Sequence, residues 1–460
     1  MTSAVPARIL VLGGGGREHA LAWKLGREVG VAEVVVAPGS AAIAQEPGVR
    51  CAPVDALDPA AVVALARAEG ADLVVVGPEA PLGAGVADAL TAAGIAVFGP
   101  LQAAARMETS KAFCHEVAEA AGVRVARARA FAGGEKDEAA AFVGELAADG
   151  MLAVLKADGL AAGKGVIVTD SPEQAMALVP SFLAGRPAWE PALVIEERLS
   201  GPEASVIAIC DGARAVALPA ARDHKRLCDD DLGPNTGGMG AYSPLTDLDD
   251  AAVDEVLRTV HLPILAELAR RGTPFRGFLY AGLMLTDSGP ALLETNVRLG
   301  DPEAQAILPR LAGDLAPILA AAAGGSLPGG IGSRLPVRDE AAVTIVLAAA
   351  GYPGDPRRGD AIAGIGEALA LGALVFHAGT VARQRPEGGY GTNGGRVLAV
   401  TAMGPDVPAA RAAAERAADA VAWPGMQRRR DIAANLPDRP AVLASGAPRV
   451  PAAPVPEPAR

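Results

Sequence analysis

The chain has 460 residues, 51% of them hydrophobic but only 3% aromatic, and a formal net charge of −12 at pH 7. That length predicts about three domains rather than one, and the acidic balance argues against general nucleic-acid binding, which needs a basic face. The longest uncharged stretch, Leu315–Ser333, carries two prolines and five glycines, and its apolar part is too short for a membrane span of about 20 residues.

The N-terminus lacks the basic, apolar and small-residue pattern of a signal peptide. Four widely separated cysteines and five scattered histidines suggest neither a zinc site nor a disulfide framework. A reducing, cytoplasmic location is therefore expected, with no membrane and no nucleic-acid partner.

Taken in chain order, Arg8–Leu12 reads as a short strand running into Gly13–Gly16, and Glu18–Val29 as a helix. Glu33–Ala37 reads as a strand, Pro59–Glu69 as a helix, Asp72–Val76 as a strand, Leu82–Ala93 as a helix and Ala96–Phe98 as a strand. Valine-rich strands alternating with helices predict a parallel sheet covered on both faces. A helix begins at Ser110, capped by Ser110 or Thr109. Ala153–Ala157 and Gly165–Thr169 then read as strands joined by a glycine-rich loop, Ser171–Leu183 as a helix and Leu193–Glu197 as a strand. Phe278–Thr286 and Ala291–Thr295 read as a hairpin. Farther on, Ala342–Ala349, Leu374–Ala378 and Gly395–Thr401 read as strands and Val407–Ala420 as a helix, before a Pro/Ala-rich tail expected to be disordered.

Three glycine-rich loops invite a chemical reading. The first, Gly13–Gly16 followed by Arg17, Glu18 and His19, opens a helix after a strand, which suits an anion. It fails the G-x-G-x-x-G spacing, and no acid ends the next strand, so a nicotinamide dinucleotide is disfavoured. The second, Asp158–Gly165, is not a P-loop: three residues separate Gly159 from Gly163, and Gly165 rather than Ser or Thr follows Lys164. It reads as a flap able to fold over a triphosphate, with Lys156 and Lys164 supplying charge. The third, Gly233–Gly240, follows the charged run Arg222–Arg226 and suits an anionic or zwitterionic substrate.

The segment Leu293–Arg298 is the most informative. On a regular strand Glu294, Asn296 and Arg298 share one face, and Leu293, Thr295 and Val297 the other. A carboxylate and an amide carbonyl two positions apart suit one hard cation that also keeps phosphate oxygens in its shell. Asp301 and Glu303 follow at once; Glu303 is expected to hold a substrate amine or to orient Arg298, and Asp301 to serve the site or cap the next helix.

Taken together, GGGGREHALAW (13–23), VVGPEAPL (75–82), SKAF (110–113), LKADGLAAGKGVIV (155–168), RDHKR (222–226), GPNTGGMGAYSP (233–244), GFLYAGLM (277–284), ETNVRLGDPE (294–303) and GYPGDPRRGD (351–360) resemble the phosphoribosylamine–glycine ligases of purine biosynthesis. These are ATP-grasp enzymes. The resemblance spans about residues 7–432 and implies a multidomain α/β protein. An N-terminal parallel α/β domain (1–107) would precede an ATP-grasp core (108–330) whose mobile lid covers about 123–195. A small C-terminal α+β domain (331–432) and the tail (433–460) would follow.

It also implies ATP, glycine and 5-phosphoribosylamine as substrates, Mg2+ or Mn2+ on Glu294 and Asn296, and a monomer. By position, Lys111, Lys156, Gly159, Gly163, Lys164, Gly165, Glu196, Glu197, Leu199 and Glu203 would bind ATP. Gly14, Gly15, Gly16, Arg17, Glu18, Pro78, Glu79, His224, Asp301 and Glu303 would hold the other substrates, and Arg298, Lys225 and Asp223 would act in catalysis. The chain departs from the family pattern at Thr295, Arg198, Pro202 and Arg222, which bears on the adenine pocket and on packing behind the metal strand.

Overall fold

The computed structural model describes residues 5–160, 165–384 and 388–437. Five parallel strands open the chain: β1 (Arg8–Gly13), β2 (Glu33–Pro38), β3 (Val49–Cys51), β4 (Leu73–Val76) and β5 (Val97–Phe98), in the spatial order β3-β2-β1-β4-β5. Ile9, Leu10, Val11, Leu12 and the valines of β2 and β4 are buried on both faces, as a helix-covered parallel sheet requires. The order reverses between β1 and β4. In open α/β sheets such a switch point leaves a crevice at the carboxyl ends of the strands. Here it is flanked by Gly13–Gly16 after β1 and by Gly77–Glu79 after β4.

Two helices differ from the expected bounds. The first spans Gly16–Leu25 rather than Glu18–Val29: it starts on the glycine run and stops at Gly26, whose N–H bonds back to Ala22 O. The stretch read as one helix over Leu82–Ala93 is two, Glu79–Gly83 and Val86–Ala92, because Gly85 sits at φ +82 in the left-handed region.

A second sheet is antiparallel, in the order Ala215–Ala217, Glu203–Asp211, Arg276–Thr286, Gly289–Asn296. A third, Ala128–Ala132, Pro191–Glu197, Ala153–Ala157, Val166–Val168, forms a unit with its own core of Phe131, Phe142, Leu155 and Ile195. Helices Lys136–Ala148 and Pro172–Leu183 pack on it, the latter capped by Ser171 Oγ, which accepts from Gln174 N at 3.1 Å. A separate core allows this unit to move as a body relative to the rest.

The C-terminal sheet is not confined to the C-terminal third. Its order is Arg222–Asp223, Gly240–Ser243, Ala341–Ala348, Arg396–Gly404, Leu374–His377, so two strands come from the middle of the chain. A cut near residue 330 therefore divides a continuous sheet. The packed chain also runs past 432: Ala433 is buried, Leu436 lies against the core, and Pro437 O accepts from Thr246 Oγ1 at 3.0 Å. The rest of the expected tail, 438–460, lies outside the described residues. No helix among the described residues is long and apolar enough to cross a membrane.

Candidate active site

The loop after β1 is built around one carboxylate. Glu18 is buried; its Oε2 accepts from Gly15 N at 2.8 Å and its Oε1 from Arg17 Nε at 2.6 Å. A Cβ on Gly13 would stand 2.5 Å from Glu18 Cγ, and one on Gly77 would stand 2.4 Å from Glu18 Oε1. Both glycines make room for this side chain. Arg17 reaches across the cleft, donating to Leu299 O at 3.2 Å. Gly16 abuts Gln305, whose Nε2 donates to Asp301 Oδ1 at 2.8 Å. Thus Gly14–Glu18 and the 299–305 segment face each other across one crevice.

Arg298 stands in its wall. Its Nε donates to Glu79 Oε2 at 3.1 Å, and its Nη2 meets Glu108 Oε1 at 2.9 Å. Glu108 Oε2 also accepts from Val297 N at 2.8 Å, fixing the turn that carries Arg298. Burial pushes the Glu108 carboxyl up, with Arg298 pulling the other way. Burial also works against the charge of Arg298, but Glu108 and Glu79 outweigh it and raise its pKa. The expected orienting role therefore falls to Glu79 and Glu108 rather than to Glu303, which accepts from Ser205 Oγ at 3.2 Å.

Glu294 and Asn296 end the strand Gly289–Asn296, beside a register shift opposite Gly282 and Leu283. Thr295 points the other way, as period two requires: it is buried and donates to Met107 O at 2.6 Å. Burial opposes ionisation of Glu294, but Lys225, Lys156, Lys111 and Arg298 together hold its carboxyl below the usual range. Asn296 Oδ1 lies 3.4 Å from Arg298 Nη2.

An ionised carboxylate and an amide oxygen, ringed by cations that suit phosphate, are a fitting donor set for one hard divalent cation sharing its shell with a nucleotide. Among the described residues no group of three His, Cys, Asp or Glu side chains gathers as an all-protein metal site.

Lys156, Glu196 and Lys111 lie at the junction with the small sheet. Lys156 is buried, donates to Leu293 O at 2.9 Å and pairs with Glu196 at 2.6 Å. Lys111 Nζ donates to Gly159 O at 3.0 Å, tying the flap to the helix capped by Ser110 Oγ, which accepts from Phe113 N at 3.1 Å. Asp158 joins the same knot through Ser110 Oγ, at 3.1 Å, and Ala112 N. Glu197 lies on the opposite face of its strand from Glu196 and accepts from Arg127 N at 3.0 Å. Leu199 is half-buried beyond the strand end. Gly163 and Lys164 lie outside the described residues; Gly165 O accepts from Ala157 N at 2.7 Å.

On the other side, Lys225 bonds Glu203 and lies 3.5 Å from Asp223. Burial pushes the Asp223 carboxyl up to about 7, Lys225 opposing and Glu303, Glu203 and Glu294 reinforcing. His224, between them on the strand path, does not join this cluster. Its ring lies 6.1 Å from that of Tyr242, its surroundings include Arg429 and Asp431, and burial lowers its pKa to about 4. Alternation along an extended chain sends it to the face opposite Asp223 and Lys225, so the structure does not bring it together with the other expected substrate residues. Asp301 is held by Arg396, with Nη2 3.0 Å from Oδ2. Burial would raise its pKa, but Arg396 and Arg17 bring it below the usual value.

Family models described as phosphoribosylglycinamide synthetase N domain, ATP-grasp (A) domain and C domain match residues 7–108, 109–304 and 342–435. The chain belongs to the phosphoribosylglycinamide synthetase family. A phosphoribosylamine–glycine ligase of Streptomyces coelicolor is 50% identical over 434 residues, 93% of this chain and 99% of that protein. The human trifunctional purine biosynthetic protein adenosine-3 is 42% identical over 430 residues, 93% of this chain but 42% of that longer protein. The crystal structure of a phosphoribosylamine–glycine ligase from Thermotoga maritima superposes with a TM-score of 0.76 at 33% identity, covering 92% of this chain and all of that one. A biotin carboxylase domain of Hydrogenobacter thermophilus, at 15% identity, 92% coverage of both chains and a TM-score of 0.65, shows the shared fold alone.

Three residues that sequence reasoning passed over belong to this phosphoribosylglycinamide synthetase cleft. Glu108 carried a signal, an acid two positions before the Ser110 cap. Arg396 and Gln305 carried none, because their partners lie on segments that meet only in the fold.

Proposed function

We infer that this chain is an ATP-dependent ligase that joins glycine to 5-phosphoribosylamine, giving glycinamide ribonucleotide, ADP and phosphate in de novo purine biosynthesis. The observation that carries the reading is one cleft onto which three assemblies open. These are the Glu18-centred loop at the switch point of the parallel sheet, Arg298 held between Glu79 and Glu108, and the Lys111–Lys156–Glu196 knot beside Glu294 and Asn296. Membership of the family supports it.

A carboxylate is a poor acyl donor. In the first step a glycine carboxylate oxygen attacks the γ-phosphorus of ATP, the bond to the β,γ-bridging oxygen breaks, and ADP leaves. In the second, the amine nitrogen of phosphoribosylamine attacks the carbonyl carbon of glycyl phosphate, the C–O bond breaks, and phosphate departs. Such chemistry asks the protein for positioning and charge neutralisation rather than for a nucleophile.

We assign Lys111, Lys156 and the 159–165 flap to the phosphates of ATP, with Glu196, Glu197, Leu199 and Glu203 lining the nucleoside side. A magnesium or manganese ion on Glu294 and Asn296 supplies charge neutralisation to phosphate oxygens when bound. Arg298 faces the transferring phosphoryl group. Gly14–Glu18, Pro78, Glu79, Asp301 and Glu303 hold the amine substrate and glycine. Asp223, with its carboxyl near 7, takes the proton that the attacking amine gives up, and Lys225 keeps it in place. Because one chain supplies every group, we take the working form to be a monomer, acting in the cytoplasm.

The test is ADP release by the purified protein with Mg-ATP and glycine, with and without phosphoribosylamine generated in situ from ribose 5-phosphate and ammonia. ADP formed only with both substrates, together with glycinamide ribonucleotide by mass, is the expected result. Saturable Mg-ATP binding without ADP formation would move the assignment to another carboxylate–amine pair on the same ATP-grasp fold.

A further inference from the structure

Away from the cleft, a pocket of about 410 Å³ opens where the end of strand Ala215–Ala217 meets the helix Asp250–Val256 and the 332–337 segment. Its walls are mostly apolar, with Leu218, Pro219, Leu245, Leu248 and Leu335 among them. Two cations line it, Arg334, which Asp250 and Asp254 hold, and Arg310, which is only 5% exposed. Its Nε donates to Glu340 O at 2.7 Å and its Nη1 to Ser243 Oγ at 2.7 Å.

Among the described residues no carboxylate lies within ion-pair distance of this guanidinium, although Asp250 and Glu340 act on it from farther off, and its Nη2 has no hydrogen-bond partner. The acid at the pocket, Asp250, is 3.3 Å from Arg334, which also holds Asp254 at 2.7 Å. A nearly buried, unpaired guanidinium costs stability unless an anion meets it.

We propose that this pocket is a second binding site, for a small organic monocarboxylate with a compact apolar body. Its volume lies within the range of small-molecule sites, which combine apolar walls with a few placed polar groups. With Arg334 already met by Asp250 and Asp254, Arg310 is left to neutralise one negative charge. A phosphate dianion would leave excess charge among leucines and prolines, whereas a carboxylate matches the paired N–H groups of the fork.

The site also touches the strands of the cleft. Ser243 Oγ, which accepts from Arg310, donates to Ala220 O at 2.6 Å. The Gly240–Ser243 strand pairs Tyr242 with Arg222 and Ala241 with Asp223.

The experiment uses the full chain and 4-fluorophenylacetate, followed by 19F NMR line broadening, with 4-fluorophenylacetamide as the neutral control. Saturable binding of the carboxylate, at least about tenfold tighter than the amide and undisturbed by Mg-ATP and glycine, is expected. Arg310→Met is expected to weaken it by about tenfold or more. Because that variant also strips Glu340 O and the buried Ser243 Oγ of their donor, Leu248→Trp serves as the second. It keeps the guanidinium, fills the cavity, and is expected to abolish binding while ligase turnover persists. Equal binding of acid and amide, displacement by Mg-ATP, or binding that survives Leu248→Trp would overturn the proposal. None of these outcomes bears on the ligase assignment.

Discussion

Replacing Gly77 with alanine probes how the two loops of the crevice depend on one another. The added methyl would stand 2.4 Å from Glu18 Oε1, 2.5 Å from its Cγ and 2.6 Å from Leu12 O. Ordinary carbon contacts begin near 3.4 Å, so about 1 Å of movement is needed on two sides. Leu12 O belongs to β1 and accepts from Gly77 N at 3.0 Å, so the sheet resists. Glu18 must then give way, together with its bonds to Gly15 N and Arg17 Nε.

Overpacking costs about 1–3 kcal/mol, and each hydrogen bond to a buried charge adds about 1.5–3 kcal/mol. If about 3 kcal/mol of this reaches the bound state, kcat/KM for phosphoribosylamine falls by roughly a hundredfold. The dissociation constant of Mg-ATP should hold, because Lys111, Lys156 and Glu196 are reached through other elements. The assay is coupled ADP release with varied amine, beside Mg-ATP titration by calorimetry. A kcat/KM within about threefold of the parent would refute the argument that Glu18 organises this loop.

Glu294→Ala should abolish turnover with little loss of stability, checked by ADP release and a melting curve; full activity would remove Glu294 from the metal site. Glu108→Gln keeps its shape but takes one carboxylate from Arg298, and should lower kcat by about tenfold or more with Mg-ATP affinity nearly unchanged. His261 is fully buried, and burial lowers its pKa to about 4 although the nearby backbone of Val256, Leu279 and Val206 opposes the shift by accepting from the ring. The unfolded chain therefore binds the extra proton, so the stability at stake is whole above about pH 6.5 and is lost as pH falls towards 4. Between pH 7.5 and 5 this amounts to about 2 kcal/mol. His261→Phe should reduce the pH dependence of urea unfolding by that much, and an unchanged slope would count against it.

Local order was the most legible part of the sequence. Strands β1, β2 and β4 are runs of buried valine, leucine and isoleucine, and the loop after β1 declares itself by four glycines. Glu294 and Asn296 were legible because period two puts them on one face, and the structure turns Thr295 away into the core as expected. The C-terminal sheet was legible in its three late strands but not in the two that come from the middle of the chain. Its strands Arg222–Asp223 and Gly240–Ser243 are too short for any periodicity, and the pairing of Gly240–Ser243 with Ala341–Ala348 joins positions about a hundred residues apart. The placement of His224 was not legible for a related reason: a charged run reads as one cluster along the sequence, while an extended backbone splits it between two faces. The break at Gly85 is a backbone event, and a helical pattern that tolerates one glycine conceals it.

The charge arrangement shows how an acidic chain gathers cations at the proposed polyphosphate site. Lys156 is met by Glu196, Lys225 by Glu203 and Asp223, Arg298 by Glu79 and Glu108, Arg17 by Glu18, and Arg396 by Asp301. Lys111 is the exception, resting on the Gly159 carbonyl of the flap. Paired in this way, long flexible cations are already fixed before any substrate enters, so little side-chain entropy remains to be lost on binding. Desolvation makes each pair a poor source of stability; its effect lies in geometry. Arg298 shows this best. Its position is set by two carboxylates on different helices, Glu79 on Glu79–Gly83 and Glu108 on Gln102–Thr109, so the residue proposed to face the transferred phosphoryl group registers the placement of both.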